Sequence, residues 1–352
     1  MRQPPGPLWA RGLPGLPEIV RGDDLPALIC AAVGRAGADL GDAGLEDAAL
    51  DDGDVVVVTS KVVSKAEGGI VTMDRDTAVE AETARVVARR GPTTIARTRH
   101  GLTLAAAGVD ASNTARGTVV LLPADPDASA RRLRTSLHAT TGRNVAVVIS
   151  DTAGRSWREG QTDIAIGVAG MPAVTSLAGT VDGHGNALEV TAPAVADEVA
   201  GLADLVMGKL SGLPVVVVSG LGDLVLPPDE HGPGAAALIR PDAGDMFGLG
   251  SREAVLAAVT RHDPAALGAL RRDATTVEDL LALATRSGVP VSLHTHVLAD
   301  GTVEVSGADD LLTAAALERL LVAATTTQWR LVGDERNNGR CRIVVRQEGA
   351  GP

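Results

Sequence analysis

Two apolar runs of this chain break off into polar clusters whose residue types could do chemistry. In VVVVTSKVVSK, residues 55–65, four valines lead into Ser60, Lys61 and Lys65. In VVISDTAGRSWREGQ, residues 147–161, an apolar run leads into Asp151 and Thr152. Asp151 and Thr152 are hard oxygen donors. Magnesium and manganese take such donors, usually one or two carboxylates completed by substrate phosphates. Gly154 permits close backbone approach, and Arg155 and Arg158 are suited to clamping phosphate or carboxylate oxygens. Gln161, Thr162 and Asp163 prolong the polar run beyond what a turn requires, although a capped turn with surface arginines also accounts for these residues.

The lysines carry a second signal. Lysine and arginine total 32, yet only Lys61, Lys65 and Lys209 are lysines, and two of them share one hexapeptide. Lysine is a compact point charge on a flexible stem, able to follow a phosphate oxygen, whereas the guanidinium fork demands one fixed geometry. Lys65, with Lys61, is the candidate phosphate contact. Lys209, in MGKL, belongs to no Walker A loop, because the glycine spacing is wrong and Leu210 replaces the hydroxyl residue. It also reads as a cation complementing the end of a helix.

Other segments offer single groups. AAAGVDASN, residues 105–113, supplies Asp110 and Asn113, either a second acid for a metal or a turn-forming pair. GLPGLPEIVRGDDLPALI, residues 12–29, makes a rigid turn and puts Asp23 and Asp24 at a helix start, where capping is their simplest role. His294 and His296 would share one strand face without an evident third ligand, so a solvated face is expected.

Something must position these groups. Val-rich runs at 54–60, 118–123, 145–151 and 214–220 read as buried strands. Between them, 77–90 reads as a helix with Glu82 one turn before Arg85. Residues 191–210 read as a helix opened by a capping Thr191, with Val195, Val199, Leu202 and Val206 on one face. The pattern is a mixed α/β enzyme core, whose ligands gather beyond strand ends. After Gly250 the pattern changes to helices, a hairpin, a helix and another hairpin, with a Thr275–Glu278 capping box. We expect residues 1–250 to form the main domain and residues 251–352 a small α/β domain.

Composition narrows the classes. Net charge is −12, which disfavours nucleic acid as a partner and requires local cations or metals for anionic substrates. Two distant cysteines, Cys30 and Cys341, fit a reducing cytoplasm and argue against disulfide or zinc frameworks. No segment approaches the ~20 apolar residues of a membrane span.

Taken in order, GLPEIVRGDDL, DGDVVVVTSKVVSKAEG, AAAGVDASN, ISDTAGRSWREGQTDIAIG and ADLVMGKLSGLPVVVVSGL resemble the coenzyme F420-0:L-glutamate ligase family, over residues 13–250. The resemblance implies an α/β ligase domain that forms an intertwined homodimer. It implies addition of L-glutamate, then further γ-linked glutamates, to F420-0, a deazaflavin with a phosphodiester and a terminal carboxylate. GTP would be the cosubstrate, with Mg2+ or Mn2+ and with K+ as a further cation. Carried over by position, Leu16, Pro17, Glu18 and Ile19 match a nucleotide-contacting turn. Ser60, Lys65 and Asn113 match GTP-binding positions, and Lys209 lies in a segment near the nucleotide. Asp110 and Asp151 match ligands of one metal, and Thr152 a ligand of a second. Lys65 and Asp151 are the expected catalytic groups. The chemistry is coherent: phosphoryl transfer turns a poor acyl donor into an acyl phosphate, which the glutamate amine attacks. The stretch after Gly250 is too short for the flavin-binding reductase fused to some relatives, so FMN is not carried over. Two alternatives keep the nucleotide: a ligase for another carboxylate acceptor, and a catalytically silent GTP-binding regulatory module.

Overall fold

Four consecutive valines, Val55–Val58, leave a strand with no polar face, so both its faces must be covered. The computed structural model describes residues 7–40, 50–112, 114–241, 245, 247–250, 254–255, 293–298, 302–308, 311–326, 329–337 and 340–347. They group into two units, residues 1–83 with 98–241, and residues 84–97 with 242–352.

In chain order the elements are β1 (Trp9–Gly12), α1 (Leu25–Leu40), β2 (Val55–Thr59), α2 (Ser60–Glu67), β3 (Ile70–Thr72) and α3 (Arg75–Glu82). Then come β4 (Thr83–Arg90), β5 (Thr93–Thr98), β6 (Thr103–Ala105), β7 (Thr118–Val120) and α4 (Pro126–Thr141). β8 (Ala146–Gly154), β9 (Gln161–Ala169), α5 (Val195–Met207) and β10 (Val215–Ser219) follow.

The first unit is built on a mixed sheet of order β1-β10-β2-β8-β9. Only β2 and β8 run parallel; the other neighbours are antiparallel. Side chains alternate between its faces. Val56, Val58, Val147, Ile149, Val215 and Val217 pack with Ile29 and Val33 of α1 and Leu133 and Leu137 of α4. Val55, Val57, Val148, Val216 and Val218 pack with Ala196, Val199, Ala200 and Ala203 of α5. Burying each such valine contributes about 1.5–3 kcal/mol, which explains the unbroken apolar runs. The protein is therefore of mixed α/β class, as its residue pattern implied.

Two helix boundaries differ from expectation. The segment 77–90 is not one helix. Asp74 caps α3 by accepting from the Thr77 backbone N–H, and the helix ends at Glu82. Thr83–Arg90 continues as strand, in keeping with Val86 and Val87, whose branched side chains favour extended backbone. Glu82 pairs with Arg99 at 3.1 Å. Thr191 does not cap α5, which begins at Val195 behind Ala194 with no side-chain cap. Asp197 in its first turn instead accepts from the Ala165 N–H at 2.8 Å, tying α5 to β9.

The second unit contains β11 (His294–Val297), β12 (Thr302–Ala308), the helix Leu311–Thr326, β13 (Trp329–Asn337) and β14 (Arg340–Gln347). Its sheet is antiparallel, of order β11-β12-β14-β13. Val303, Val305, Leu317, Leu320, Trp329, Ile343 and Val345 form its core. His294 and His296 are exposed on β11, as a solvated face requires. The Thr275–Glu278 box lies outside the described residues. Among the described residues no helix is long and apolar enough to cross a membrane.

Candidate functional site

Parallel pairing of β2 and β8 sets Thr59 opposite Ser150, so the two strands finish side by side. The next residue on each strand is polar, and Ser60 Oγ donates to Asp151 Oδ1 at 2.7 Å. α2 starts directly at Ser60. It stops at Gly68, whose φ of 85° lets its N–H and that of Gly69 return to the carbonyls of Lys65 and Ser64. Within these two turns Lys61 and Lys65 stand four residues apart, on one helix face.

That face borders a cleft of about 1300 Å³ in the first unit. Lys65 is buried, 5% exposed, and its ammonium pairs with Glu18. The turn that carries Glu18 is anchored by Ile19, which is in the core, and Leu16, which packs against it. Arg35 Nη2 also donates to the Gly15 carbonyl at 2.9 Å. Lys61 Nζ lies 2.6 Å from Asp110 Oδ2 and donates to Ser112 Oγ at 2.9 Å. Asp110 is held by a two-way backbone bridge to Val120. The preceding chain turns through Ala106 and Ala107, both at φ 51°, a left-handed conformation that costs non-glycine residues about 1–2 kcal/mol each. A small-residue run is what such a turn tolerates.

Antiparallel β9 brings Asp163 opposite Thr152. Asp163 is buried and accepts from Ser150 Oγ and from Thr152 Oγ1, both at 2.8 Å. From beyond the end of α5, Lys209 Nζ donates to the same Thr152 Oγ1 at 2.8 Å. All three lysines of the chain thus face one cleft.

The charges are unevenly balanced. Burial raises the Asp151 carboxyl; the Ser60 hydrogen bond opposes this, and the Asp163 and Asp110 charges add to it, leaving a pKa pushed up to about 6. Burial also acts to raise Asp110, but the hydrogen bonds from Lys61 and Ser112 outweigh it and hold its carboxyl below the usual range. Asp204 on α5 is pushed up by burial and by Asp163.

These features allow two metal positions to be judged. At Asp110 and Asp151 the donors fit a divalent cation: carboxylates from distant segments press on one another, and a bound positive charge would relieve that repulsion. Among the described residues no set of three or more His, Cys, Asp and Glu side chains forms a metal cage by itself. A cation there would complete its shell with water or phosphate oxygens, as magnesium commonly does. At Thr152 the hydroxyl proton goes to Asp163, which leaves the oxygen lone pairs able to meet a cation; in this structure the Lys209 ammonium takes that side.

Leu16, Pro17, Glu18, Ile19, Ser60, Lys65, Asp110, Asp151, Thr152 and Lys209 all line this cleft, while Asn113 lies outside the described residues. Arg155 is engaged locally, donating to the Glu159 carbonyl at 2.6 Å within the β8–β9 turn. Asp24 accepts from the Ala27 N–H at the start of α1, the capping role expected of it. Sequence reasoning gave Asp163, Asp204 and Ser112 no role. For Asp163 a signal existed: the alternation in QTDIAIGVA marks a strand, and a hairpin centred on the 155–160 turn sets Asp163 against Thr152.

Comparisons with known proteins place the sequence in a family. A sequence model of the family described as F420-0:Gamma-glutamyl ligase matches residues 15–220. A Coenzyme F420:L-glutamate ligase of Methanothermobacter thermautotrophicus is 37% identical over 257 residues, covering 67% of this chain and 97% of the relative. Proteins of the same name from Methanopyrus kandleri and Archaeoglobus fulgidus are each 38% identical. They cover 60% and 59% of this chain, and 92% and 85% of their own lengths.

Proposed function

The chain belongs to the F420-0:gamma-glutamyl ligase family and is a ligase, and from this we propose that it joins L-glutamate to coenzyme F420-0 with GTP and a divalent metal, through an acyl phosphate. The observation that carries the reading is the convergence of every lysine with Asp110 and Asp151 on one cleft at the ends of β2 and β8. A chain of net charge −12 needs such local cations to hold a nucleoside triphosphate beside a carboxylate substrate.

In this reading the Leu16–Ile19 turn and Ser60 border the nucleotide. Lys65, fixed on α2, offers its ammonium to a phosphate oxygen, exchanging Glu18 for a stronger anion. Asp110 and Asp151 would hold Mg2+ or Mn2+, which supplies charge neutralisation for phosphates and acceptor carboxylate. Lys61, which pairs with Asp110 in this structure, would be released to meet phosphate where that carboxylate holds a cation. The chain's own residues thus perform positioning and charge stabilisation, the main demands of phosphoryl transfer. The acyl phosphate then expels phosphate as the glutamate nitrogen attacks, and further rounds extend a γ-linked tail. A cytoplasmic homodimer belongs to the same reading; Trp157, Val181, Val190, Leu205 and Leu210 are exposed apolar residues available to a second copy.

Mass spectrometry of F420-0 incubated with the protein, L-glutamate, GTP and Mn2+ tests the proposal. Successive increments of one glutamyl residue, lost on chelation, are expected. A folded protein that binds GTP but leaves F420-0 unchanged would redirect the search to another acceptor.

A further inference from the structure

The β8–β9 hairpin sets Asp163 directly across from Thr152, with Ser150 two residues back along β8 on the same face. Asp163 is buried and meets both hydroxyls at 2.8 Å: Ser150 Oγ donates to its Oδ2, and Thr152 Oγ1 donates to its Oδ1. Both carboxylate oxygens accept, so Asp163 serves as a pure acceptor. A carboxylate withdrawn from water needs positive charge nearby, and the Thr152 hydroxyl offers a route to it. With its proton committed to Asp163, Thr152 Oγ1 meets the cleft with lone pairs alone, and the Lys209 ammonium donates to it there at 2.8 Å. Asp151, between the two hydroxyl residues, points to the other face of the strand and meets Ser60. The end of β8 thus presents a carboxylate on one face and an acceptor hydroxyl on the other.

We infer that Asp163 is a positioning residue for a second divalent cation: by taking the hydroxyl protons of Ser150 and Thr152, it aims the Thr152 lone pairs into the cleft. The inference rests on the metal-dependent ligase reading and adds to it a residue that acts on the cation only through Thr152. The arrangement parallels a carboxylate that orients a metal-ligating histidine, where loss of the outer partner costs about 10–100-fold in metal affinity. Ser150 makes the arrangement one-directional. It is 0% exposed, and its proton has Asp163 as acceptor. In Asp163→Asn the amide offers one oxygen and one NH2 group. Ser150, with no water to turn to, keeps the oxygen, and Thr152, which faces the cleft, is left with the NH2. Thr152 Oγ1 then spends a lone pair on the amide and turns its proton toward the cleft, where it repels a cation.

Manganese binding tests this. Purified protein saturated with the non-hydrolysable analogue GMPPNP is titrated with Mn2+, and the free ion is followed by electron paramagnetic resonance. The wild type is expected to bind two Mn2+ per chain. Asp163→Asn should keep one with its affinity unchanged and hold the other about 10–100-fold more weakly. Thr152→Val removes the hydroxyl at nearly constant shape and should weaken the same ion. Combining it with Asp163→Asn should add nothing, because Asp163 acts through that hydroxyl. Thr152→Ser keeps a hydroxyl opposite Asp163 and should bind both ions, which tests the inference even where circular dichroism shows Asp163→Asn to be unfolded. An unchanged second ion in Asp163→Asn, two equally weakened ions, additive losses in the double variant, or loss of the second ion from Thr152→Ser would overturn the inference and leave the ligase reading intact. A wild type that binds a single Mn2+ would do the same, and one that binds none would overturn the metal-dependent reading itself.

Discussion

Ser60 and Asp151, 91 residues apart in the chain, meet at 2.7 Å because β2 and β8 run parallel and in register. One strand pairing therefore sets the base of the cleft: α2 with its two lysines leaves from one strand end, and the acidic run leaves from the other. The predictions below follow from this arrangement.

Asp151 is desolvated beside two other acids, so its charge opposes folding when no metal is bound. Asp151→Asn keeps an oxygen to accept from Ser60 and removes that charge. The variant should melt higher than the wild type without metal, by about 2–4 °C for each kcal/mol recovered in a unit of this size. It should also lose any increase in Tm caused by Mn2+. Scanning calorimetry with and without metal checks both effects.

The same group gives a pH signature. Folded, Asp151 keeps its proton to about pH 6, against an ordinary value of 3.8. Between those values the folded chain binds more protons than the unfolded one, so this group's contribution to stability falls as pH rises. The gap in Tm between Asp151→Asn and the wild type, both metal-free, should widen from about pH 4 to about pH 6 and stay constant above. A gap independent of pH would show that Asp151 is not desolvated.

Lys65 and Glu18 should respond in opposite directions. Lys65→Arg places a planar fork where a buried ammonium points, and should weaken GTP binding tenfold or more, about 1.4 kcal/mol or above. Glu18→Gln removes the competing carboxylate and should leave GTP binding equal or tighter. Isothermal titration with GMPPNP reads both variants, and full affinity in Lys65→Arg would remove Lys65 from the phosphate site.

Gly68 ends α2 at φ 85°, and an added Cβ would lie 2.9 Å from Arg21 Nε. Gly68→Ala should cost about 1 kcal/mol or more, since a left-handed backbone penalises any Cβ. The expected reading is a Tm lower by a few degrees, with metal stoichiometry unchanged.

Much of this framework could be read from residues alone. Val55–Val58, Val145–Ile149 and Val215–Val218 announced buried strands because a doubly covered sheet needs apolar residues at every position. Lys65, Asp110, Asp151 and Thr152 stood out because they combine chemical types with strand ends and with the family's motif order. Thr83–Arg90 was harder: Val79, Glu82 and Val86 suit a helix by spacing, whereas Val86 and Val87 suit a strand by shape, and strand pairing prevailed. β9 is harder to read at its start, where polar Gln161, Thr162 and Asp163 prolong the preceding turn in appearance, than in the alternation that follows. The Lys61–Asp110 contact depends on left-handed alanines at 106 and 107, a conformation that no periodicity reveals.

Isotope transfer tests the central claim most directly. F420-0 labelled with 18O in its terminal carboxylate is incubated with the protein, L-glutamate, GTP and Mn2+, and the released phosphate is analysed by mass spectrometry. Carboxylate activation by phosphoryl transfer predicts one 18O atom in inorganic phosphate, with one GDP, for the first glutamyl bond on each F420-0, and unlabelled phosphate for each later one. Singly glutamylated product whose released phosphate carries no 18O, or 18O in GMP, would contradict the account.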